Sequence, residues 1–481
     1  MVKNQINIYK LLKKKYESLL LLYIPNEKVS FNYKLFIFLI IFLIIFNYQK
    51  IIRKYNININ QNAIKYQIQF NFTFGGMLKN KIKIGIYSIS LKYGGTERIT
   101  SILLNYFYKI SIFNVCLLTR KNKEENEYII PQNLKRFVIK DNQTINLIKQ
   151  FKKQKIDILI YQFANYHEIN ILNQLNNIKI LYYNHFSFFY WVYFNFKKFQ
   201  ILYTQYKNSK YIISLIHLEN DYLFKKWGIN SILMNNFITY EYNLIIPSNI
   251  SSNIILMIGR VHDRFKRFDL GAQAMEYIIQ EVKESEMRII SNLNGTSDLQ
   301  ILVNNINMDN YIKFVGYSSS PEIHFKNASL HIFPTVSEAF PMVLCETKIY
   351  GIPTILLGLD YVTISKGGTI IIYEDNPESL AKEAIIILKN NKKKKELGKE
   401  GIESMKKFNN QLLFNKWIKL IISIYKGENH YQEFKNTINN ISENDAFTII
   451  NNQVKLLKKR LLNFNNITFN NFLDLINYEF N

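Results

Sequence analysis

Short apolar runs alternate with amphipathic helical stretches from Lys81 to about residue 425, and this alternation constrains the fold more than any other feature. Runs of about four to eight apolar residues are typical of strands buried on both faces. Alternation of such strands with helices predicts parallel sheets covered by helices. The runs form two series of similar length. They lie at 82–89, 113–118, 156–161, 178–183 and 211–215, and then at 254–258, 287–291, 311–315, 330–334, 353–357 and 369–373.

Two series of this kind predict an α/β protein with two Rossmann-like domains, 81–245 and 246–425. A basic N-terminus that ends in a linker (1–80) precedes them. A helical C-terminal extension (426–481) follows and is expected to pack against the body. Ligands of such sheets bind at the carboxyl ends of the strands, so the loops there are the candidate sites.

An apolar segment at Leu35–Phe46 interrupts the basic N-terminus. The uninterrupted run is shorter than the about 20 residues that span a bilayer, but aromatic and apolar flanks extend it to about 33–50. We interpret it as an uncleaved, single-pass membrane anchor; a buried helix or a signal-peptide core is the alternative. Lysine and arginine residues on both sides leave the orientation undetermined.

Composition excludes several classes of protein. Hydrophobic residues make up 48% of the chain, which excludes a disordered chain. Cys116 and Cys345 are its two cysteines, too few for a disulfide framework. The net charge of +24 is spread over a chain rich in Asn, Ile and Lys, without a dense Arg-rich run. It therefore reflects biased composition more than a nucleic-acid partner, although an anionic substrate or membrane surface would also suit it.

Three loops carry candidate chemistry. After the first strand, Gly94 and Gly95 allow close backbone approach and Thr96 is predicted to cap the next helix, an arrangement that favours an anion. The sequence there matches neither G-x-G-x-x-G nor a P-loop. After the strand at 254–258, Arg260 and Lys266 are placed to stabilise a diphosphate leaving group. Arg264 and Arg267 beside them are interpreted as solvated.

The third loop, SEAFPMVLCE, follows the strand at 330–334. Pro341 stands where a helix begins. Glu338 then lies at the mouth of the site and Glu346 about a turn and a half inside the helix. A carboxylate accepts hydrogen bonds from vicinal hydroxyls, which suits ribose or hexose recognition. A surface acid is the alternative interpretation of Glu346.

The Glu338/Glu346 pair, in its E-x7-E setting, resembles that of the retaining glycosyltransferases of family 4. The family's other landmarks occur in order over about 81–425: GGTER at 94–98, Gly259-Arg260 with Lys266, and Phe314-Val315-Gly316. The resemblance implies a GT-B fold, with the two domains facing a central cleft. It also implies a retaining, metal-free transfer from a nucleotide sugar, which is a substrate, with no cofactor.

Residue by residue, the resemblance implies that Arg260 and Lys266 hold the diphosphate and Glu346 the ribose. Glu338 and His185 would lie at the transferred sugar as catalytic residues. The donor-binding set is completed by Gly94, Gly95, Gly316, Phe340 and Pro341. The first domain would take the acceptor and the second the donor. Thr347 and Lys348 stand where the family commonly has Ala and Met, which predicts different packing behind Glu346.

Two other functions remain open at this stage: a non-catalytic GT-B scaffold that binds a nucleotide sugar or glycan, and a basic nucleic-acid-binding protein. Intact Arg260, Glu338 and Glu346 favour the enzyme. Neither the sugar nor the acceptor follows from the sequence. The anchor and the aromatic stretch 186–196 suggest an acceptor that is lipid-linked or near a membrane, while a buried helix explains 186–196 equally well.

Overall fold

A computed structural model describes residues 80–428 except 93, 140–143, 163–171, 173–177, 186–205, 208, 218, 221–222, 225–227, 240–246, 262, 294–295, 319–320 and 359–362. By its internal contacts the chain forms two compact units. The first, residues 1–81 with 110–112, lies almost wholly outside the described residues. The second, residues 82–109 with 113–481, contains every element described below.

The first sheet is parallel throughout. Its strands are β1 (Ile82–Ser88), β2 (Phe113–Thr119), β3 (Lys135–Val138), β4 (Ile158–Tyr161), β5 (Lys179–Tyr183), β6 (Tyr211–Ser214) and β7 (Ile232–Leu233). They lie in the order β3-β2-β1-β4-β5-β6-β7. The helices α1 (Gly95–Tyr108) and α2 (Thr144–Gln154) connect strands of this sheet.

The second sheet is also parallel. Its strands are β8 (Ile254–Ile258), β9 (Glu286–Ile290), β10 (Ile312–Phe314), β11 (Leu330–Phe333), β12 (Thr354–Leu357) and β13 (Thr369–Ile372), in the order β10-β9-β8-β11-β12-β13. The described helices from Phe268 onward are α3 (Phe268–Glu281), α4 (Ser297–Asn305), α5 (Glu322–Phe325), α6 (Met342–Ile349), α7 (Pro377–Lys389), α8 (Asn391–Met405) and α9 (Asn410–Lys426).

Each sheet changes the direction of its strand order once near its centre, between β1 and β4 and between β8 and β11. The loops after such neighbouring strands diverge and leave a crevice at their carboxyl ends. Gly94 and Arg260 follow β1 and β8, and Glu338 follows β11. These three predicted site residues therefore stand at the two crevices, because the topology places them there.

The central strands form where the sequence supplies continuous runs of apolar side chains that can be buried. β4, β6, β11 and β12 are buried along their whole length. The predicted α/β fold with two parallel sheets is confirmed, and each predicted strand lies within two residues of an observed one. The sequence analysis missed β3 and β7. The boundary predicted between 245 and 246 lies outside the described residues and stays a prediction.

Helix α9 returns from the end of the second half to pack on the first sheet. The Trp417 ring lies 5.3 Å from that of Tyr183 and 6.0 Å from that of Phe107, measured between ring centroids. The Asn410 side chain accepts a hydrogen bond from the Ile238 N–H (2.9 Å) and donates to its carbonyl (2.8 Å). The two halves of the chain thus share a core on this side.

The predicted anchor at about 33–50 and most of the C-terminal extension (429–481) lie outside the described residues, and both stay predictions. Within the range that the structure describes, no helix combines the length and apolar character needed to cross a membrane.

Burial of His331 on β11 gives a testable dependence of stability on pH. The ring is fully buried and lies 3.2 Å and 3.3 Å from the hydroxyls of Thr347 and Thr354. Burial lowers the pKa of His331 to about 3. Below an unfolded pKa of about 6.5 the unfolded state binds a proton that the folded state does not, so stability is lost as pH falls.

We expect this histidine to contribute up to about 1.4 kcal/mol of lost stability per pH unit below about pH 6. Urea denaturation of the wild type and of His331→Gln at pH 7.0, 6.0 and 5.0 measures the contribution as the difference between the two slopes. Identical slopes would contradict it, whatever stability the variant has at pH 7.0.

Candidate active site

The loops after β8 and β11 form one side of the site. The Val336 N–H donates to the Phe265 carbonyl (2.9 Å), which joins the two loops through their backbones. The Lys266 ammonium bonds to the Glu338 carboxylate, and the two side chains are 19% and 14% exposed. The same ammonium lies 5.6 Å from the centre of the Phe333 ring. A cation and an acid are therefore fixed together at the carboxyl edge of the second sheet.

Two arginines of the loop after β8 have different surroundings. Arg260 has a 57% exposed side chain and donates a hydrogen bond to Asp263 of its own loop (3.3 Å). Arg267 was interpreted as solvated, and that is wrong. It is buried and forms two hydrogen bonds to the Asp375 carboxylate (2.6 and 2.8 Å). The exposed Arg260 is thus available to an anion and Lys266 already holds a carboxylate, while Arg267 is committed to the fold.

Glu346 is buried in the second turn of α6, with 2% of its surface exposed, so the alternative of a surface acid is wrong. The Thr239 hydroxyl donates to its Oε1 (2.7 Å), and the Arg98 guanidinium donates to the same oxygen. The Arg98 guanidinium also lies 3.4 Å from the Thr239 hydroxyl. Arg98 belongs to α1 and Thr239 follows the first sheet, so residues of the first half hold this acid.

Thr347 and Lys348 stand behind Glu346, where a small residue and an apolar residue were expected. Both polar side chains form hydrogen bonds. The Thr347 hydroxyl is fully buried and bonds within its own helix. The Lys348 ammonium, also fully buried, donates to the carbonyls of Ile364 and Lys366, the latter at 2.9 Å. Burial lowers the pKa of Lys348 to about 7. The altered packing predicted there therefore ties α6 to the segment before β13.

The Gly94-Gly95 turn lies against the start of α6. A Cβ added to Gly95 would stand 3.6 Å from Cγ of Met342. A Cβ on Gly94 would collide with the Glu97 carboxylate, which folds back over it. Burial raises the pKa of Glu97, and the charge of Arg260 opposes part of that rise. The N-termini of α1 and α6 therefore meet across the site.

The predicted cap by Thr96 is wrong. Gly94 occupies the N-cap position of α1 and Thr96 lies inside the helix, where its carbonyl accepts from the Thr100 hydroxyl (2.8 Å). Neither α1 nor α6 has a side-chain cap at its start. Backbone N–H groups at a helix start favour a negatively charged partner.

His185 follows β5 and is held by a defined chain of hydrogen bonds. The Thr100 hydroxyl donates to Thr96, so its oxygen accepts from Nε2 of Gln162 (2.7 Å). Oε1 of Gln162 then accepts from Nε2 of His185 (2.9 Å). This network leaves Nδ1 of His185 as the unprotonated nitrogen, buried and without a hydrogen-bond partner among the described residues. Burial lowers the pKa of His185 to about 3, so the ring is neutral at physiological pH.

The remaining predicted donor residues shape the backbone. Gly316 follows β10 with φ of 88°, a conformation that favours glycine. Phe340 is buried with its ring 5.7 Å from that of Phe408, and Pro341 stands at the N-cap of α6. Over the described part of the chain, no cluster of three or more His, Cys, Asp or Glu side chains has the arrangement of a metal site.

The structure pairs Lys266 with Glu338 and brings Gly95 to the start of the helix that carries Glu346. Among the described residues, no hydrogen bond or ion pair joins Arg260 or His185 to either glutamate. The sequence analysis quoted Arg98 as a landmark without giving it a role, and it missed Thr239 and Gln162. Gln162 directly follows β4, next to the point where the first sheet changes direction, and that position was the signal for it.

Known proteins resemble the chain in sequence and in structure. Residues 252–390, which contain the second sheet, match the model of the family described as Glycosyl transferases group 1. An uncharacterized glycosyltransferase of Haemophilus influenzae is 21% identical over 333 residues, covering 64% of this chain and 91% of that protein.

Two solved structures share the fold. Sucrose-phosphate synthase from Thermosynechococcus elongatus is 15% identical with a TM-score of 0.62, over 72% of this chain and 100% of that one. The Anabaena protein HepE, in complex with UDP and glucose, is 11% identical with a TM-score of 0.60, over 71% of this chain and 100% of that one.

Proposed function

We propose that this chain, a glycosyltransferase with the GT-B fold whose residues 252–390 match glycosyl transferases group 1, transfers a sugar with retention of anomeric configuration and without a metal ion. One observation carries the proposal. Both acids of the E-x7-E pair lie at the carboxyl edge of the second sheet, one bound to a lysine and the other held by the opposite half.

The donor is a nucleoside diphosphate sugar in this proposal. Lys266 and the exposed Arg260 contact the diphosphate, with the starts of α1 and α6 beside it. Glu346 accepts hydrogen bonds from the ribose hydroxyls. The HepE structures contain UDP and UDP-glucose, so a uridine diphosphate sugar is the first donor to test.

Catalysis then comes from charge placement. As the bond between sugar and diphosphate breaks, negative charge grows on the leaving oxygen and positive charge on the sugar ring. Lys266 and Arg260 stabilise the negative charge on the leaving oxygen. Glu338, which is bonded to Lys266, stabilises the positive charge on the sugar ring. The neutral His185 keeps the role at the transferred sugar that the family resemblance gives it, with its unpartnered Nδ1 as the hydrogen-bond acceptor. No step in this proposal requires a metal ion.

The acceptor side is proposed from the sequence alone. Attachment through the segment at about 33–50 would place the enzyme at a membrane, where a lipid-linked sugar is the acceptor class we favour over a soluble glycan or a protein. These statements concern residues outside the described range. Flotation of the full-length protein with liposomes, compared with a chain lacking residues 1–80, tests the attachment.

A donor screen tests the function. Radiolabelled UDP-, GDP- and ADP-sugars are incubated with the full-length protein, and release of free sugar is measured with and without EDTA. We expect hydrolysis of one donor class, unchanged by EDTA, and a product with the donor's anomeric configuration by NMR. Loss of turnover in EDTA or an inverted product would contradict the proposed mechanism. Tight donor binding without turnover would favour the non-catalytic scaffold.

A further inference from the structure

We infer that Arg98 is a positioning residue, which together with Thr239 orients the Glu346 carboxylate for the donor ribose. The ribose site is then assembled from both halves of the protein instead of belonging to the second half alone. The inference rests on the proposed function, because it concerns the same Glu346.

The two oxygens of Glu346 have different surroundings. Oε1 accepts two hydrogen bonds, one from the Arg98 guanidinium and one from the Thr239 hydroxyl at 2.7 Å. Oε2 has no hydrogen-bond donor among the described residues. A ribose presents two adjacent hydroxyls, so a carboxylate with one oxygen fixed and the other open is prepared to receive them.

Arg98 is itself held from the first half. Its guanidinium lies 5.1 Å from the centre of the Tyr128 ring, and the Tyr128 N–H donates to the Leu91 carbonyl (3.0 Å). The arginine side chain is 16% exposed, and it stands on the helix that the Gly94-Gly95 turn begins. Contacts within the first half therefore fix the position of Arg98, in addition to its contact with Glu346.

Burial makes this contact more than a surface ion pair. Glu346 is 2% exposed, and a carboxylate at such a site requires a charged partner with good geometry. The partner stands 248 residues earlier in the sequence, on the other sheet's first helix. The orientation of the Glu346 carboxylate therefore depends on the position of the first half relative to the second. Nucleotide binding favours the relative position in which Arg98 contacts Glu346.

Arg136 offers a matched control. It pairs with Glu127 at 2.7 Å, with side chains 13% and 5% exposed, and this pair joins β3 to the loop after β2, within the first half. Its removal breaks a similarly buried arginine–carboxylate pair. A purely structural role of Arg98 predicts that the two substitutions have the same consequences.

The experiment uses the full-length protein with UDP, GDP and ADP as probes, in isothermal titration calorimetry. We expect Arg98→Ala to weaken binding of the preferred nucleoside diphosphate by about tenfold and Arg98→Lys by less. Arg136→Ala should lower the melting temperature and leave the Kd unchanged. In a Glu346→Gln background, Arg98→Ala should weaken binding no further, since the residue acts through Glu346.

Equal Kd values for the wild type and Arg98→Ala would overturn the inference, and so would an effect of Arg98→Ala that persists in the Glu346→Gln background. If Arg98→Ala does not fold, Arg98→Lys decides: an unchanged Kd overturns the inference. A wild-type protein that binds none of the three probes overturns the proposed function, and the inference with it.

Discussion

Replacing Lys266 with alanine is expected to lower kcat by about 100- to 1,000-fold while the protein stays folded. The loss has two sources. The diphosphate loses a cation where its charge develops, and Glu338 loses the lysine that neutralises it at the position proposed for the sugar. Initial-rate kinetics with the preferred donor separate kcat from KM, and the effect should fall mainly on kcat.

Lys389 provides the control for that prediction. It forms a lysine–glutamate pair with Glu281, but both side chains are about half exposed, at 49% and 56%, and they join α7 to α3 on the surface. Lys389→Ala should leave kcat within about twofold of the wild type, because an exposed pair contributes little. A kcat for Lys266→Ala equal to that of Lys389→Ala would remove Lys266 from the proposed mechanism.

Replacing Glu346 with glutamine is expected to weaken nucleoside diphosphate binding by about 100-fold, the value of about two lost hydrogen bonds to a charged group. The same change removes the carboxylate that neutralises the largely buried Arg98 guanidinium. Breaking a buried pair on one side costs about 3–5 kcal/mol of stability. Calorimetric titration with UDP and urea denaturation measure the two effects separately.

Glu127→Gln separates binding from stability in that prediction. It removes the acid from the comparable Arg136 pair and should cost stability alone. Glu346→Gln that binds UDP as tightly as Glu127→Gln does would contradict the proposed ribose contact, even if both variants are destabilised.

The sequence predicted the strands that are apolar throughout and missed those that are not. β3 reads KRFV, and its two charged residues hide it from a search for apolar runs. β7 has two residues, too few to show a period. They are the two edge strands of the first sheet, at its opposite ends, where burial on both faces is not required.

The sequence predicted those residues of the candidate site that belong to motifs with a characteristic order and spacing. Lys266 and Glu338 follow strands and Glu346 stands in α6, in the order of the family pattern that the sequence resembles. The partners of these residues could not be predicted in this way. Arg98 meets Glu346 across 248 residues, and Arg267 meets Asp375 across 108. Such long-range pairs depend on how the helices and loops pack against each other, and the local periodicity of the sequence does not predict that packing.

Helix α9 has a consequence for how the protein is made. The indole of Trp417 fills a position against Phe107 and Tyr183, residues that leave the ribosome more than two hundred residues earlier. Until α9 is synthesised, those rings stay uncovered, so the first half is expected to complete its folding late and to aggregate when expressed without residues 410–426.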